Sequence, residues 1–269
     1  MQKTIENQKQ IIFYEDDGKG FPVLLIHGLA EDHTYWNGVK KHLASKFRII
    51  TPDLPGWGKS SLPENFKNID EFADSIKTIL DFEKITKCIL IGHSMGGYVV
   101  LNFAKRFNDY LSGIGLFQSS ALADDEEKQL NRLKVADFVM RIGVAPYINE
   151  LYDGLFAKRF YIEEQTKLTA LKNYAYGFSS QTIKASVMAM KDRPDSLSVL
   201  KNAKYPVLFV IGEEDNAAPP PKMFSQSCLP DLSVVYFIHE VGHMAHIENE
   251  TEASTCIENF LEFVLNKNL

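Results

Sequence analysis

Cysteine is scarce in this chain: Cys88, Cys228 and Cys256 are the only three in 269 residues. None of them forms a C-x-x-C pair, so neither a zinc ribbon nor a disulfide framework is indicated. The sequence also has no apolar run of about 18 residues or more, and we expect no membrane span. Residues 1–17 lack the apolar core and the small-residue cleavage site of a secretion signal. Together these absences predict a reduced, soluble, cytoplasmic protein.

Positive charge is in the minority, since 29 lysines and arginines face 35 acidic residues, for a net charge of −6. Nucleic-acid binding calls for a basic surface, so we expect no nucleic-acid partner. Apolar residues make up 45% and charged residues 24% of the chain. These ordinary values exclude a disordered chain, a collagen-like chain and a coiled coil. We expect a globular protein with a small-molecule partner, and no pattern in the sequence assigns its oligomeric state.

Short apolar runs alternate with amphipathic segments along most of the chain. The apolar runs are continuous, which is typical of strands covered on both faces, and they cover residues 21–27, 47–51, 87–92, 112–118, 206–212 and 233–238. Helical spacing covers residues 35–45, 69–82, 96–107 and 251–265, with Asp70 as a candidate cap of the second helix. This alternation predicts an α/β protein with a mostly parallel central sheet flanked by helices. Residues 8–15 are a candidate antiparallel edge.

Residues 121–200 interrupt the alternation, because the pattern there is helical and contains no convincing strand. A segment of this length is too long for a loop inside a compact domain. We therefore predict a core formed by residues 1–120 and 201–269, with residues 121–200 inserted after the fourth predicted core strand as a helical cap. The aromatic and methionine side chains of the cap either form its own interior or face a substrate; the candidates for the second role are Phe138, Met140, Met188 and Tyr174.

The pentapeptide Gly92-His-Ser-Met-Gly96 lies between a predicted strand and a predicted helix. A sharp strand–turn–helix connection lifts a serine hydroxyl above a parallel sheet, and the glycines leave room for the turn. Ser94 is therefore the candidate nucleophile; the alternative is a helix N-cap. The amide that follows it, on Met95, can stabilise a developing oxyanion, and the Leu29 amide after the first buried strand can supply the second donor.

A serine hydroxyl needs a base, and three histidines follow the last predicted strand: His239, His243 and His246. We favour His243 as the base because Gly242 gives its loop freedom, and we assign His246 a structural role. The rival interpretation is a metal site in which these three histidines and Glu248 are the ligands. Since the pattern is not H-E-x-x-H, we expect no metal.

An imidazole base needs a carboxylate that fixes its tautomer. Asp215 lies just after a buried strand, in the segment of residues 212–220, and is the candidate acid. Glu213 and Glu214 compete for that role, but we expect them to be solvated. Among the other histidines, we expect His27 to bond the loop backbone.

Residues 53–60 end in Gly-Lys-Ser, the end of a phosphate-binding loop. Such a loop would need a glycine where Asp53 stands, and Pro63 interrupts the helix that should follow. We therefore predict a rigid loop here and no nucleotide cofactor or other cofactor.

The sequence resembles the α/β-hydrolase fold superfamily over nearly its whole length. Five motifs carry the resemblance in the family's order: H-G, D-x-x-G-x-G-x-S, G-x-S-x-G-G, G-x-x-D-x-x-x-P and G-H-x-x-H-[LI]-E, at residues 27–28, 53–60, 92–97, 212–219 and 242–248. The order Ser94, Asp215, His243 is also that of the superfamily. The chain departs from the family at Asn249, where a proline often follows the last glutamate.

The resemblance implies a serine hydrolase that cleaves a small carboxylic ester or lactone through an acyl-enzyme. Ser94 disfavours the branches with an aspartate nucleophile, such as haloalkane dehalogenases and epoxide hydrolases. Residues 122–137 and 189–195 are similar to a bacterial branch of esterases, enol-lactonase-like and cofactor-free haloperoxidase-like enzymes. The alternatives are C–C bond or thioester hydrolysis, or perhydrolysis, on the same triad. A non-catalytic ligand receptor on this fold is a further alternative.

Overall fold

A computed structural model describes residues 1–6 and 10–267. Its centre is an eight-stranded sheet in the order β1-β2-β4-β3-β5-β6-β7-β8. The strands are β1 (Gln2–Glu6), β2 (Ile11–Asp17), β3 (Pro22–Ile26), β4 (Arg48–Pro52), β5 (Cys88–His93), β6 (Leu111–Phe117), β7 (Val207–Gly212) and β8 (Ser233–Ile238). The mostly parallel sheet predicted from the alternation is therefore confirmed.

The first two strands form the antiparallel edge of the sheet, because β1 pairs with β2 and β2 pairs with β4 in antiparallel register. The other six strands are all parallel. The predicted edge at residues 8–15 corresponds to β2; its residues 8 and 9 lie outside the described residues. β1 is absent from the predicted strands, because Ile5 is its one apolar residue.

Helices cover both faces of the sheet. Outside the segment between β6 and β7 they are α1 (Asn37–Leu43), α2 (Ile69–Phe82), α3 (Met95–Arg106), α10 (Pro220–Ser227), α11 (Ala245–Glu248) and α12 (Glu250–Lys267). The bounds of α2 match the predicted helix, but its cap does not. Asn68 is the N-cap, and its side chain accepts the Asp70 amide. The Asp70 carboxylate instead accepts a hydrogen bond from Asn102 on α3.

The alternation along each strand divides the apolar side chains between two cores. On β3, Leu24 and Ile26 join the core beneath α2 and α3, whereas Val23 and Leu25 join the core beneath α1 and α12. All four side chains are fully buried. The strands are thus covered on both faces, as their continuous apolar sequences predict.

Residues between β6 and β7 form six helices and no strand: α4 (Glu126–Arg141), α5 (Val144–Asp153), α6 (Lys158–Glu163), α7 (Gln165–Ala175), α8 (Ser180–Lys191) and α9 (Leu197–Lys201). Their buried side chains, such as Val139 on α4 and Val187 on α8, belong to the same apolar cluster as the α2 and α3 face of the sheet. The helical insertion lies at the expected place in the chain. The division into domains at residues 120 and 200 stays a prediction.

Within the part of the chain that the structure describes, none of the helices has both the length and the apolar character needed to cross a bilayer.

Candidate active site

Ser94 lies at the turn between β5 and α3, with φ 49° and ψ −116°. A non-glycine residue rarely adopts this conformation, and it is held here because the Ser94 amide donates to the Phe117 carbonyl at 3.1 Å. The turn is tight: a Cβ on Gly92 would overlap the Gly96 backbone, and a Cβ on Gly96 would overlap the Ile26 carbonyl. The hydroxyl makes no capping hydrogen bond to α3. The side chain is therefore free to point away from the helix that its residue begins.

The structure brings Ser94, His243 and Asp215 together at the carboxyl ends of β5, β7 and β8. His243 Nε2 lies 2.8 Å from Ser94 Oγ, and His243 Nδ1 lies 2.8 and 2.9 Å from the two Asp215 oxygens. Asp215 and His243 are both buried, whereas Ser94 is half-buried. A carboxylate can only accept, so Nδ1 carries the hydrogen, and the lone pair of neutral Nε2 faces the serine hydroxyl. This arrangement can remove a proton from Ser94.

The competing acids point elsewhere. Glu213 is exposed and accepts the Glu240 amide at 3.0 Å, and Glu214 accepts the Lys158 amide at 3.0 Å. Two backbone hydrogen bonds hold the Asp215 carboxylate in place: its Oδ1 accepts the amides of Ala217 and Ala218 at 2.9 and 2.8 Å. The loop after β7 therefore holds one of the three carboxylates against His243.

Two backbone amides are available near Ser94. Met95 begins α3, so its amide has no acceptor within the helix. Leu29 lies on the loop after β3 and lines the same cavity as Ser94 and His243. Among residues 1–6 and 10–267, neither amide has a hydrogen-bond acceptor of its own. Both donors can therefore serve an oxygen atom of a bound molecule.

Ser94 opens into a small cavity of about 90 Å³, roughly the volume of three water molecules in the liquid. The insertion supplies part of the wall through Leu151 on α5, Met190 on α8 and Leu155 between α5 and α6. The four residues that the sequence suggested for the substrate-facing wall do not line this cavity. Phe138 lines an adjoining groove of about 790 Å³, while Tyr174 lines a separate pocket beside Asp32 and His33. The remaining two do not line this cavity either: Met140 is 44% exposed, and Met188 packs against the apolar core.

A second histidine–carboxylate pair, not found from the sequence, lies directly behind the first. His93 Nδ1 is 2.9 Å from Glu31 Oε1, and His93 Nε2 is 2.8 Å from the carbonyl oxygen of His243. Both side chains are buried. Burial favours the neutral forms, but the mutual charge and hydrogen bond prevail, so the pKa of Glu31 is lowered and that of His93 is raised. The backbone of His243 is thus anchored to a buried ion pair.

Two further side chains hold the His243 loop. Gln118, at the end of β6 with φ 49°, donates to the Gly242 carbonyl and accepts the Ala245 amide at 2.8 Å. Glu248 accepts the amides of Gly242 and Met244, on either side of His243, at 3.2 and 3.0 Å. Burial raises the pKa of Glu248 despite these bonds. Glu248 therefore fixes the loop rather than binding a metal.

His246 is structural, but not through hydrogen bonds. It is fully enclosed, it stacks on Trp36 at 4.7 Å between ring centroids, and neither of its nitrogens has a hydrogen-bond partner among the residues described. Burial lowers its pKa well below the ordinary value, and the neighbouring charge of His93 lowers it further. His246 is thus a neutral ring packed under the loop.

The proposed ligand set of His239, His243, His246 and Glu248 does not converge. The side chain of His239 is 75% exposed beside Glu213, and His243 is occupied by Ser94 and Asp215. In the described ranges, two other groups have ligand atoms within 4.8 Å of one another: Glu31, His93 and His246, and Asp32, His33 and Asp53. Both groups are buried, and in each of them one carboxylate already bonds a histidine nitrogen.

The loop at residues 53–60 is held by hydrogen bonds to the Asp53 side chain, and its rigidity stays a prediction. Asp53 accepts hydrogen bonds from the His33 amide, from His33 Nδ1 and from the Lys59 amide at 2.9, 2.7 and 2.8 Å. His27 bonds the backbone of its own loop as expected, because its Nδ1 donates to the Gly28 carbonyl at 2.8 Å, and its Nε2 also accepts the Leu54 amide at 3.0 Å. The loop thereby helps to shape the edge of the sheet that carries Leu29.

Comparison with known proteins agrees with this architecture. A family model described as alpha/beta hydrolase fold matches residues 22–134. An uncharacterised protein of Mycobacterium tuberculosis is 34% identical over 108 residues, and this match spans 40% of the chain but only 32% of that relative's length. A 2-hydroxy-6-oxo-6-(2'-aminophenyl)hexa-2,4-dienoic acid hydrolase of Metapseudomonas resinovorans is 28% identical, with 92% of this chain and 86% of that protein covered.

Among solved structures, a thermophilic esterase from Thermogutta terrifontis superimposes with a TM-score of 0.93 at 28% identity, covering 98% of this chain and 99% of that one. The eight-stranded sheet, the strained serine turn after β5 and these similarities lead to one conclusion: the chain has the α/β-hydrolase fold.

Proposed function

We propose that the protein is a serine hydrolase that cleaves a small carboxylic ester or lactone through an acyl-enzyme. The observation that carries the proposal is the unbroken series of contacts from Ser94 Oγ to His243 Nε2 at 2.8 Å and from His243 Nδ1 to Asp215 at 2.8 Å. Such a series lets a neutral imidazole activate a hydroxyl and lets a carboxylate stabilise the imidazolium that results.

In the first half of the reaction, Ser94 Oγ attacks the carbonyl carbon while His243 Nε2 takes the hydroxyl proton. The amides of Leu29 and Met95 hold the negative oxygen of the tetrahedral intermediate. The carbon–oxygen bond to the alcohol then breaks, and His243 returns its proton to the leaving oxygen. With a lactone, this alcohol stays attached to the acyl group.

In the second half, His243 takes a proton from water as the water oxygen attacks the acyl carbon. The bond between that carbon and Ser94 Oγ breaks, Ser94 regains its proton from His243, and the carboxylic acid leaves. The cavity of about 90 Å³ favours a short chain beside the scissile bond. The similarity to the Thermogutta esterase supports ester cleavage.

One observation favours a second candidate, hydrolysis of a carbon–carbon bond on the same three residues. The Metapseudomonas relative, matched across 92% of this chain, is a hydrolase of a hexadienoic acid. Thioester hydrolysis and perhydrolysis would use the same residues, and a receptor would bind a ligand without turnover. Measuring ester turnover first separates these candidates.

The test is hydrolysis of p-nitrophenyl acetate by the wild type and by Ser94→Ala, His243→Ala and the double variant. We expect each single variant to lose about 10⁴- to 10⁶-fold in kcat, and the double variant to be no worse, because the residues act as one unit. Ser225→Ala, which removes an exposed hydroxyl on α10, is the matched control and should keep full activity.

Substantial turnover by folded Ser94→Ala would contradict the proposal, and its loss on chelation would point to a metal instead. No turnover of any ester by the wild type, together with tight binding of a ligand, would favour the receptor.

A further inference from the structure

Positive charge is concentrated at the Ser94 cavity, although the whole chain has a net charge of −6. Two cations, Lys128 and Arg132, line the cavity together with Ser94 and His243. They are four residues apart on α4, so their side chains lie on the same face of that helix. Among the described residues that line the cavity, Glu31 is the one carboxylate, and it is already paired with His93. The cavity therefore has an excess of positive charge.

Neither cation has a carboxylate to itself among the described residues. The Lys128 ammonium has no ion-pair partner among the described residues. Arg132 bonds Asp124 through Nε at 3.1 Å, and its two terminal nitrogens have no partner in the same part of the chain. Asp124 is also shared with Arg193, whose terminal nitrogen lies 3.0 Å away, so one carboxylate serves two guanidinium groups.

Each cation lines a second space in addition to the Ser94 cavity. Lys128 also lines a cleft of about 270 Å³ beside Tyr98, and Arg132 also lines the groove of about 790 Å³ between α4 and α5. The other charged residues of that groove are two cations and two acids, Lys134, Arg141, Asp137 and Glu150, whose charges balance. A bound molecule that extends from the Ser94 cavity toward these spaces therefore meets Lys128 or Arg132.

We propose that the substrate carries a carboxylate besides its scissile ester or lactone group, and that Lys128 and Arg132 bind this carboxylate at the mouth of the cavity. The inference rests on the proposed function, whose site it shares. A guanidinium with two free terminal nitrogens suits a carboxylate, because it can donate two parallel hydrogen bonds. The small cavity keeps the scissile carbonyl only a few bonds from the anion.

The test uses pairs of esters that differ only in charge. Monoethyl succinate is compared with ethyl succinamate, and 3-acetoxypropanoate with 3-acetoxypropanamide, so that the carboxylate stands on the acyl or the alcohol side. We expect at least one acid to exceed its amide in kcat/KM by roughly tenfold or more, since one charge-assisted hydrogen bond supplies about that factor. The preference should decrease with added salt, because both cations are partly open to solvent.

Three variants test whether Lys128 and Arg132 cause the preference for the acid over the amide. Lys128→Gln and Arg132→Gln should each reduce the ratio of acid to amide by roughly three- to tenfold, mainly through KM, and the double variant should abolish it. Arg132→Gln leaves Asp124 paired with Arg193, and Lys128 is exposed, so we expect both variants to fold. Lys184→Gln makes the same charge change at an exposed position of α8, outside the cavity, and should keep the wild-type ratio.

Equal turnover of acids and amides by the wild type would overturn the inference and leave the proposed function standing. So would a preference that Lys128→Gln and Arg132→Gln retain. If no ester is turned over, the proposed function is wrong, and calorimetry decides the inference separately. Succinate should bind the Ser94→Ala variant more tightly than succinamide does, and only while Lys128 and Arg132 are present; equal or undetectable binding would contradict it.

Discussion

Two histidine–carboxylate pairs stand side by side in this molecule, with the His93 and His243 rings 4.9 Å apart, yet only one is suited to catalysis. His243 bonds Asp215 through Nδ1 and faces the Ser94 hydroxyl through Nε2. His93 bonds Glu31 through Nδ1 and faces the His243 carbonyl through Nε2. The pairs differ in what the second nitrogen meets.

A hydroxyl can donate a hydrogen bond, whereas a carbonyl can only accept one. His243 can therefore stay neutral and take a proton from Ser94. His93 must donate from Nε2, and beside ionised Glu31 it donates from Nδ1 as well, so it is an imidazolium. The raised pKa of His93 and the lowered pKa of Glu31 agree with this assignment. In the proposed function the first pair transfers protons, and the second holds the loop on which the first depends.

The largest effect that separates the pairs is expected from Asp215→Asn. The amide keeps the size of the carboxylate but favours the wrong tautomer of His243, so kcat should decrease by about 10⁴-fold while the protein stays folded. Ester hydrolysis and thermal unfolding measure the two quantities. Glu213→Gln and Glu214→Gln remove nearby charges that do not contact His243, and they should cost little. Near-normal activity of Asp215→Asn would show that another group orients the imidazole.

Glu31→Gln should have the opposite profile, with a larger effect on stability than on chemistry. It leaves His93 as a buried, unpaired cation, and breaking a buried pair in this way costs about 3–5 kcal/mol in the free energy of unfolding. Chemical denaturation at several pH values measures it. The loss of activity, if the folded fraction is taken into account, should stay far below that of Asp215→Asn.

The pH dependence of that cost follows from the two pKa shifts. Glu31 has a lowered pKa in the folded protein. Its contribution to the free energy of unfolding is therefore complete above about pH 4.5 and is lost as the pH falls through the folded pKa of about 2. His93 has a raised pKa in the folded protein. Its contribution to the free energy of unfolding is therefore complete below about pH 6.5 and is lost as the pH rises through the folded pKa. The stability difference between wild type and Glu31→Gln should be greatest between pH 4.5 and 6.5. A difference that grows above pH 6.5 would contradict the ion pair.

The sequence predicts the first pair and not the second, for a physical reason. Asp215 and His243 follow buried parallel strands, and the carboxyl ends of such strands meet at one edge of the sheet. Glu31 lies on an irregular loop, and no periodicity specifies that its side chain turns inward beneath His93. The same limit applies to the charge at the cavity, because Lys128 and Arg132 lie on a helix whose face toward Ser94 depends on how the insertion packs.

The helices and strands also divide into those that the sequence predicts and those that it does not. The continuous apolar strands and α2 were predicted closely, since burial on both faces and strong amphipathic spacing leave one interpretation. β1 was missed because a half-exposed edge strand has little apolar content. The cap of α2 shifted from Asp70 to Asn68 because two residues near the helix start can both accept an amide, and Asp70 also faces Asn102.

The smallest effect is expected from His246, which lies against both His93 and the His243 loop. Its pKa is lowered well below 6.5, so the unfolded chain binds a proton there that the folded chain does not, and stability is lost as the pH falls below 6.5. His246→Leu removes that site together with two nitrogens that have no hydrogen-bond partner. At pH 7 we expect a change within about 1 kcal/mol, because the lost stacking on Trp36 offsets the removed polar atoms. Between pH 6 and pH 5 the variant should lose less stability than the wild type, by up to about 1.4 kcal/mol.

Urea unfolding at these pH values measures the difference, with His239→Leu as the exposed control. An unchanged slope in His246→Leu would mean that His246 is protonated in the folded protein, and His93 would then not be the sole cation beneath the loop.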